Sequence, residues 1–272
     1  MRNEKESKGI VYVAHGSVFL EEAITSAKRA KEVMPDIPIC IITDQDIRGK
    51  NFVWRARKLF DHSIHLEYPK FDHSDKNVDW GYKPYALSIA DLPYEKCMFL
   101  DTDTYMIYSI RELFRYVHSN FDIALCEDRQ DDQKLTAYTN AMVFNSGMMV
   151  FNNSEKIKKI FNRWWNRYER RITKKTDHSV KYGEGSQKNG DQVFLADILY
   201  NGGCRFIVLR INYNFRYNYK QSITNSVSLL HGRSNIEINK ISEELNSLGN
   251  QRTWDPATFT ISLDPVHKPE LL

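Results

Sequence analysis

The sequence predicts a single α/β domain in which helices flank a mostly parallel central sheet. Short apolar runs rich in β-branched residues alternate with segments of helical periodicity, the pattern of strands joined by helical crossovers. With 272 residues, of which 42% are hydrophobic and 12% aromatic, the chain is long enough to bury one substantial core. No shift in composition divides it, so we expect one domain over residues 1–249 and an irregular, proline-containing tail over residues 250–272.

Three strands and two helices are predicted in the first hundred residues. Apolar, β-rich segments predict strands at residues 10–14, 38–43 and 97–100. Between the first two strands, apolar residues recur at helical spacing until Pro35, which ends that helix. Pro84 suits the first turn of a second helix.

Four further strands and four helices are predicted after residue 100. The strands are placed at residues 121–126, 143–151, 205–209 and 227–231, and two of the helices at residues 154–171 and 191–200. Ser109 and Glu112 have the spacing of a capping box and predict a helix through Val117. Ser234 and Glu237 have the same spacing and predict a last helix that ends near Gly249.

The composition narrows the class of protein. The four cysteines (Cys40, Cys97, Cys126 and Cys204) are far apart and lack metal-site spacing, which favours reduced thiols over disulfides or a zinc site. Cys40, Cys97 and Cys126 lie in apolar, strand-like runs, where a reduced cysteine behaves as a small hydrophobic residue. The net charge of +3 and the pI near 8.5 suit a phosphate-bearing ligand, and we expect no nucleic-acid partner. Residues 1–8 are charged, and no stretch approaches the ~20 apolar residues of a spanning helix, so we expect a cytoplasmic protein.

Two aspartates, Asp101 and Asp103, follow the strand at residues 97–100. Ligands of parallel α/β sheets bind at the carboxyl ends of the strands, and residues two apart in an extended segment point the same way. Both carboxylates can therefore face one point, where Mg²⁺ or Mn²⁺ would relieve their repulsion and bridge diphosphate oxygens. A polar turn that binds no ion is the alternative.

A histidine and a lysine are candidates for the same site. His231, at the end of a later strand and followed by Gly232, offers a neutral imidazole as a third metal ligand, although a structural histidine fits equally. Lys83 offers a point charge to a phosphate, and a solvated lysine is its ordinary role.

Two further segments carry polar residues in unusual places. Asp191 and Gln192 follow a glycine and open a helix, where Asp191 also suits the N-cap. Residues 145–147 (Asn-Ser-Gly) interrupt a strand-like run, and a glycine there indicates either close approach of the backbone to a ligand or a bulge.

The order of these motifs resembles the retaining glycosyltransferases of the GT-A fold, in particular family 8, which includes glycogenin and bacterial lipopolysaccharide galactosyltransferases. The resemblance runs from Ile10 to Gly232. After the first strand, its motifs are Lys83, Leu92-Pro-Tyr94, Phe99-Leu-Asp-Thr-Asp-Thr104, Phe144-Asn-Ser-Gly-Met-Met-Val-Phe-Asn152, Gly190-Asp-Gln192 and His231-Gly232. The chain departs from the family after His-Gly, where it has Arg233-Ser-Asn-Ile instead of a motif that continues to a lysine.

The resemblance implies a single Rossmann-type GT-A domain that transfers sugar from a nucleotide-diphosphate donor, a UDP-sugar being favoured, with retention of configuration. It implies that Asp101, Asp103 and His231 hold Mn²⁺ or Mg²⁺ and that Asp191 and Gln192 line the reaction centre. The acceptor, whether a glycan, a lipid-linked group or a protein, is not indicated. The residues implied in donor binding are Ala14, His15, Lys83, Asp101, Asn145, Ser146, Gly147, Gly232 and Arg233.

Three other functions fit parts of the sequence. Asp101-Thr-Asp-Thr104 also fits the first motif of haloacid-dehalogenase-type phosphatases, with Asp101 as nucleophile, but the second acidic pair of that family is not at the expected spacing after Asp191. A nucleotidyltransferase would need a glycine-rich, basic loop, which residues 15–19 lack. A sugar- or nucleotide-binding module without turnover would use the same residues.

Two surface segments carry separate expectations. The polar residues 129–139 are expected to form a mobile lid over the donor or an ordinary exposed loop. The helix at residues 154–171 has an apolar stripe opposite a strongly basic face, which predicts either a solvated outer helix or peripheral contact with an anionic membrane.

Overall fold

The computed structural model describes residues 6–47, 58–69, 81–118, 120–128, 144–173, 191–233, 238–249 and 251–263. The expected lid at residues 129–139 and the expected helix cap at Ser234 and Glu237 lie outside these ranges. In the part of the chain that is described, no helix is both long and apolar enough to cross a membrane.

All seven predicted strands are found in the described part of the chain, together with six further strands that the sequence analysis did not predict. The strands are β1 (Glu6–Ala14), β2 (Ile39–Thr43), β3 (His62–His65), β4 (Tyr94–Leu100), β5 (Thr104–Met106), β6 (Ile123–Glu127), β7 (Phe144–Asn152), β8 (Phe206–Leu209), β9 (Phe215–Arg216), β10 (Gln221–Ile223), β11 (Leu229–His231), β12 (Arg252–Asp255) and β13 (Thr260–Leu263). The helices are α1 (Gly16–Val33), α2 (Tyr82–Ile89), α3 (Glu155–Thr173), α4 (Asp191–Asn201) and α5 (Ile238–Asn246). Two short 3₁₀ helices cover Arg111–Arg115 and Ile211–Tyr213.

In the described ranges, the central sheet has seven strands in the order β3-β2-β1-β4-β7-β6-β8. Its pairs are parallel except for the two that β7 makes, with β4 and with β6. The predicted α/β fold with a mostly parallel sheet is therefore confirmed.

Each face of the central sheet is covered by helices because successive strand side chains point to opposite faces. On one face, Val11, Val13 and Phe99 pack in a core with α2, α3 and α4. On the other, Ile10 and Tyr12 pack with α1 and the segment around the first 3₁₀ helix. All four cysteines are free thiols, as predicted, and Cys204 is buried like the other three.

The predicted capping box at Ser109 and Glu112 is wrong. The chain there forms a 3₁₀ helix that begins at Arg111, and the residue before it, Ile110, makes no side-chain cap. A capping box needs Ser109 itself at the N-cap, so the observed start is one residue too late. Packing of the buried Leu113 and its apolar neighbours on the sheet decides the local conformation instead.

The expectation of irregular structure over residues 250–272 is wrong for residues 252–263. β12 and β13 form an antiparallel pair, and β12 also pairs with β10. Trp254 and Arg252 are fully buried. Pro256 lies in the turn between the two strands, where its missing N–H removes no ladder hydrogen bond, so this proline is compatible with a hairpin.

Candidate active site

Four segments meet at the carboxyl edge of the central sheet. Asp101 directly follows β4, which pairs in parallel with β1. β11 pairs with β5 so that His231 lies opposite Thr104. Lys83 lies in the first turn of α2, and Asp191 is the first residue of α4. Residues that are far apart in the sequence therefore form one site.

Asp101, Asp103 and His231, the metal ligands predicted from the sequence, lie together in a cluster that could hold a metal ion (the metal-ligand group). One ligand atom from each side chain lies within 4.8 Å of the other two. His231 Nε2 is 3.6 Å from Asp101 Oδ2 and 3.4 Å from Asp103 Oδ1. The carboxylates converge in a turn, closed by a bond from the Thr104 N–H to the Asp101 carbonyl, and not in an extended segment as expected. Two carboxylates and an imidazole are a donor set that fits Mn²⁺ or Mg²⁺.

The electrostatics of this group also suit a cation. Burial raises the pKa of Asp101. Lys83 and His231 lower it, but burial and the neighbouring carboxylates together outweigh them, so the pKa lies above its ordinary value. Burial acts in the same direction on Asp103, but His231 and Arg233 outweigh it and hold the pKa of Asp103 below its ordinary value. A divalent ion would remove the cost of keeping both carboxylates charged in a buried site.

Gly147 explains how the imidazole fits. A Cβ at this position would lie 2.2 Å from His231 Cε1, 2.7 Å from His231 Nδ1 and 2.9 Å from Asn145 Oδ1. The strand is also irregular here, because the register between β6 and β7 shifts between Leu125 and Cys126. The glycine thus lies in a bulged segment and makes a close approach, and the group it approaches is the histidine of the metal-ligand group.

Lys83 joins the metal-ligand group to Asp191. Its Nζ is 3.0 Å from Asp101 Oδ1, 3.1 Å from Asp191 Oδ2 and 2.8 Å from Ser146 Oγ. Burial lowers the pKa of Lys83, but the two carboxylates raise it further, so the ammonium stays charged. The Lys83 side chain is only 14% exposed, so the alternative of an ordinary solvated lysine is excluded.

Asp191 and Gln192 face the bulged segment of β7. Ser146 Oγ donates to Asp191 Oδ2 over 3.0 Å, and the Ser146 N–H donates to Gln192 Oε1 over 3.1 Å. The Gln192 amide in turn donates to Asp128 Oδ2 over 3.2 Å. Both predicted reaction-centre residues therefore lie beside Lys83 in one hydrogen-bonded network.

Asn145, to which the family resemblance assigns the sugar of the donor, is almost fully buried and bonded within the protein. Its Oδ1 accepts from the Gly147 N–H and from Asn214 Nδ2, and its Nδ2 donates to Asp128. In this structure Asn145 organises the bulge, and direct contact with a sugar stays a prediction. The sequence analysis did not identify Asp128 or Asn214 as site residues. Asp128 could have been found, because it directly follows strand β6, as Asp101 follows β4.

The remaining predicted donor residues border the site. Ala14 ends β1, and His15 Nδ1 lies 2.8 Å from Asp44 Oδ2 with its ring packed on Tyr82. Arg233 Nε and Nη2 donate to the carboxylate of Glu22, over 2.6 and 3.0 Å. Glu22, which nothing in the sequence singled out, thus holds the arginine that follows Gly232.

Comparison with known proteins identifies the family. Residues 78–225, more than half of the chain, match the model of the family described as nucleotide-diphospho-sugar transferase. This range includes Lys83, both aspartates of the metal-ligand group, Asp191 and Gln192. No curated protein matches the chain in sequence.

Solved structures of glycosyltransferases share the fold. The apo form of GlyE from Streptococcus pneumoniae matches with a TM-score of 0.54 and 14% identity over 93% of this chain and 62% of that one, so this chain spans less than two thirds of GlyE. Galactosyltransferase LgtC, in complex with donor and acceptor sugar analogues, matches with a TM-score of 0.54 and 15% identity over 92% of this chain and 93% of that one. Apo mouse xyloside xylosyltransferase 1 matches with a TM-score of 0.51 and 13% identity over 85% of this chain and 99% of that one.

Sequence identities this low establish only that the fold is similar. The family match, which covers more than half of the chain, establishes the family. The predicted resemblance to GT-A glycosyltransferases is confirmed. This chain belongs to the nucleotide-diphospho-sugar transferase family.

Proposed function

We propose that this protein transfers a sugar from a nucleotide-diphosphate donor, a UDP-sugar being favoured, to a hydroxyl acceptor, using Mn²⁺ or Mg²⁺ held by Asp101, Asp103 and His231. The observation that carries the proposal is the position of Lys83, whose ammonium lies about 3 Å from both Asp101 and Asp191. Through these two ion pairs, Lys83 connects the metal-ligand group to Asp191 at the start of α4, so the two parts form one continuous site. Such a site can hold the diphosphate at one end and the sugar at the other.

The chain's own residues divide the work of donor binding. The metal ion, when bound, supplies positive charge to the diphosphate as it leaves. Lys83 bridges Asp101 and Asp191, offsets the repulsion between their carboxylates and adds a second positive charge, fixed in place by Ser146. Ala14 and His15 contact the nucleotide at the end of β1, and Gly232 lets the backbone come close to the donor. Arg233 reaches the diphosphate if it exchanges its Glu22 partner for a phosphate oxygen.

We propose further that the reaction retains the anomeric configuration. The bond from the anomeric carbon to the diphosphate oxygen breaks, the acceptor oxygen bonds to that carbon from the same face, and the acceptor's proton passes to the leaving diphosphate. Asp191 and Gln192, fixed by Ser146 and Asp128, stabilise the positive charge that develops on the sugar. NMR of the first product formed from an α-linked donor tests this; inversion would contradict it.

Mn²⁺ dependence of donor binding is the central test. We expect UDP-sugars to raise the melting temperature in the presence of Mn²⁺, since a ligand at ~100 times its Kd adds about 2.7 kcal/mol. Asp101→Asn and Asp103→Asn should abolish this shift and all transfer without unfolding the protein, because both residues lie in a turn at the sheet edge. Asp36→Asn, which alters a surface aspartate paired with Arg111, is the matched control and should behave as wild type.

The outcomes of this test separate the alternative functions. Donor binding that is equally tight with and without divalent ions would contradict the metal proposal. Metal-dependent binding without hydrolysis or transfer of any sugar would indicate a binding module. The family match does not favour a phosphatase, and labelled phosphate covalently bound to Asp101 would be needed to restore that reading.

The domain boundary and the location of the protein remain proposals. We propose that the transferase domain continues to Leu263, because β12 pairs with β10 and buries Trp254. We also propose a cytoplasmic protein that docks on anionic membranes through α3. Ion pairs within the protein partly neutralise the basic face of this helix at Lys156 and Arg167, while Lys159, Arg163 and Arg170 are exposed.

A further inference from the structure

Both backbone polar groups of Gly232 are hydrogen-bonded within the protein. Its N–H donates to the Asp103 carbonyl over 3.0 Å, and its carbonyl accepts from the Tyr217 hydroxyl over 2.6 Å. Gly232 has a φ of +138°, a conformation that side-chain-bearing residues rarely adopt. A Cβ there would lie 2.8 Å from Asn218 Nδ2. The backbone directly after His231 is therefore fixed in one conformation.

His231 needs such support from the backbone. A metal-ligating histidine usually donates its second ring N–H to a protein acceptor, and that bond sets the direction of the ring. Among the described residues, the buried Nδ1 of His231 has no hydrogen-bond partner. The direction of the ring is left to contact with Gly147 and to the position of the backbone at residues 231 and 232.

Tyr217 is well placed to fix that backbone. It directly follows β9, whose Arg216 is paired in parallel register with His231. Its side chain is buried in the core of the two small sheets, together with Leu230 and Trp254. Burial raises the pKa of Tyr217 to about 12, so its hydroxyl keeps the proton that it donates to Gly232.

The C-terminal hairpin holds Tyr217 in turn. Trp254, on β12, is fully buried and donates its indole N–H to the Tyr217 carbonyl over 2.6 Å. β12 is anchored by its pairing with β10 and β13. Hydrogen bonds thus run from the hairpin through Tyr217 to Gly232, and from Gly232 to the backbone of Asp103.

We infer that Tyr217 is a positioning residue for the metal site, and that the C-terminal hairpin, residues 252–263, serves to hold it there. This inference rests on the proposed function, because it assumes that His231 and Asp103 bind a metal ion. It assigns to the hairpin a role in donor binding, although none of its described residues belongs to the metal-ligand group.

The inference predicts that Tyr217→Phe weakens Mn²⁺ binding. The variant keeps the buried ring and loses the bond to Gly232. Binding of Mn²⁺ alone is measured from the electron paramagnetic resonance signal of the free ion. Loss of an outer-shell partner of a metal ligand typically weakens affinity 10- to 100-fold, and we expect a loss at the lower end of that range.

Tyr105→Phe is the matched control. Tyr105 lies on β5 in the same small sheet, opposite Leu230, but its hydroxyl bonds to Asn239 on α5 and not to the backbone beside His231. It should bind Mn²⁺ as wild type does. Trp254→Phe keeps an aromatic ring while losing the bond to the Tyr217 carbonyl, so it should weaken Mn²⁺ binding in the same direction, and it decides the question if Tyr217→Phe does not fold.

The outcomes distinguish this inference from the proposed function. If wild type binds Mn²⁺ and a folded Tyr217→Phe binds it with the same Kd, the inference is wrong while the metal site stands. An equal loss in Tyr105→Phe would also refute it, because the effect would then be general destabilisation. If wild type binds no Mn²⁺ at all, the proposed metal site fails and the inference fails with it.

Discussion

Replacing Gly147 with alanine is the sharpest single test of the site geometry. The Cβ would lie 2.2 Å from His231 Cε1 and 2.7 Å from Nδ1. Carbon atoms in contact are ordinarily 3.5–4.0 Å apart, so the imidazole must move by at least about 1 Å or β7 must shift. The new atom would also lie 2.9 Å from Asn145 Oδ1, so a second neighbour must shift as well.

A displacement of this size has separate consequences for stability and function. Overpacking a core typically costs about 1–3 kcal/mol, so Gly147→Ala should unfold at lower temperature than wild type but still fold. Ligand distances in metal sites hold to within about 0.2 Å, so a shift of about 1 Å removes His231 from the ligand set. We expect Mn²⁺ affinity to fall roughly 100-fold and sugar transfer to fall by a similar factor.

Thermal unfolding, Mn²⁺ titration and transfer rates test this prediction. Gly249→Ala is the control, because a Cβ at Gly249 meets no atom within 4 Å and the change should alter neither stability nor metal binding. If Gly147→Ala binds Mn²⁺ as tightly as wild type, then His231 is not a metal ligand or its ring is not confined as the structure shows. Unchanged Mn²⁺ affinity in this variant would therefore refute the reasoning.

Three further predictions concern charged residues. Lys83→Met leaves two buried carboxylates without their basic partner, so the free energy of unfolding of the metal-free protein should fall by about 3 kcal/mol. Mn²⁺ should then raise the melting temperature of the variant more than that of wild type; equal increases would contradict this prediction. Asp122→Asn should lower the free energy of unfolding by about 2 kcal/mol at pH 7, because it weakens the bonds to Lys156 and Arg205. In the folded state these bonds lower the pKa of Asp122 by more than burial raises it. That stabilisation is present above the unfolded pKa of about 4 and disappears as pH falls through the folded value, so melting curves of the two proteins should converge in acid. Changing Lys159, Arg163 and Arg170 to glutamate should weaken binding to anionic liposomes at low salt without lowering the melting temperature; if wild type itself ignores such liposomes, α3 is a solvated outer helix.

Local patterns were sufficient for the main elements of the fold. The strands in the middle of the sheet contain continuous apolar runs, residues 10–14 in β1 and residues 97–100 in β4, because both faces of these segments are covered by helices. Where only one face is buried the signal was weaker, and the hairpin of β12 and β13 was missed because Pro256 drew attention to a loop. The 3₁₀ helix at Arg111–Arg115 was mistaken for a capped α-helix, since short-range spacing cannot show how the segment packs.

The candidate site was predictable to the extent that it follows strand ends. Asp101 and Asp103 were found because they follow an apolar strand, and Asp128 was open to the same argument. Glu22 and Asn214 carried no signal, because their place in the site depends on contacts with Arg233 and Asn145, which are distant in the sequence.

The sequence by itself determined the order of strands, helices and polar motifs along this chain, since apolar periodicity and strand-end carboxylates are properties of neighbouring residues. Only the tertiary structure decided that Lys83 lies between Asp101 and Asp191, and that Gly147 makes room for His231. Those relations depend on which strands pair and in what register, and a bulge of a few residues in β7 is enough to change them. The chemistry was therefore visible in the residue types, and its geometry was set by the packing of distant segments.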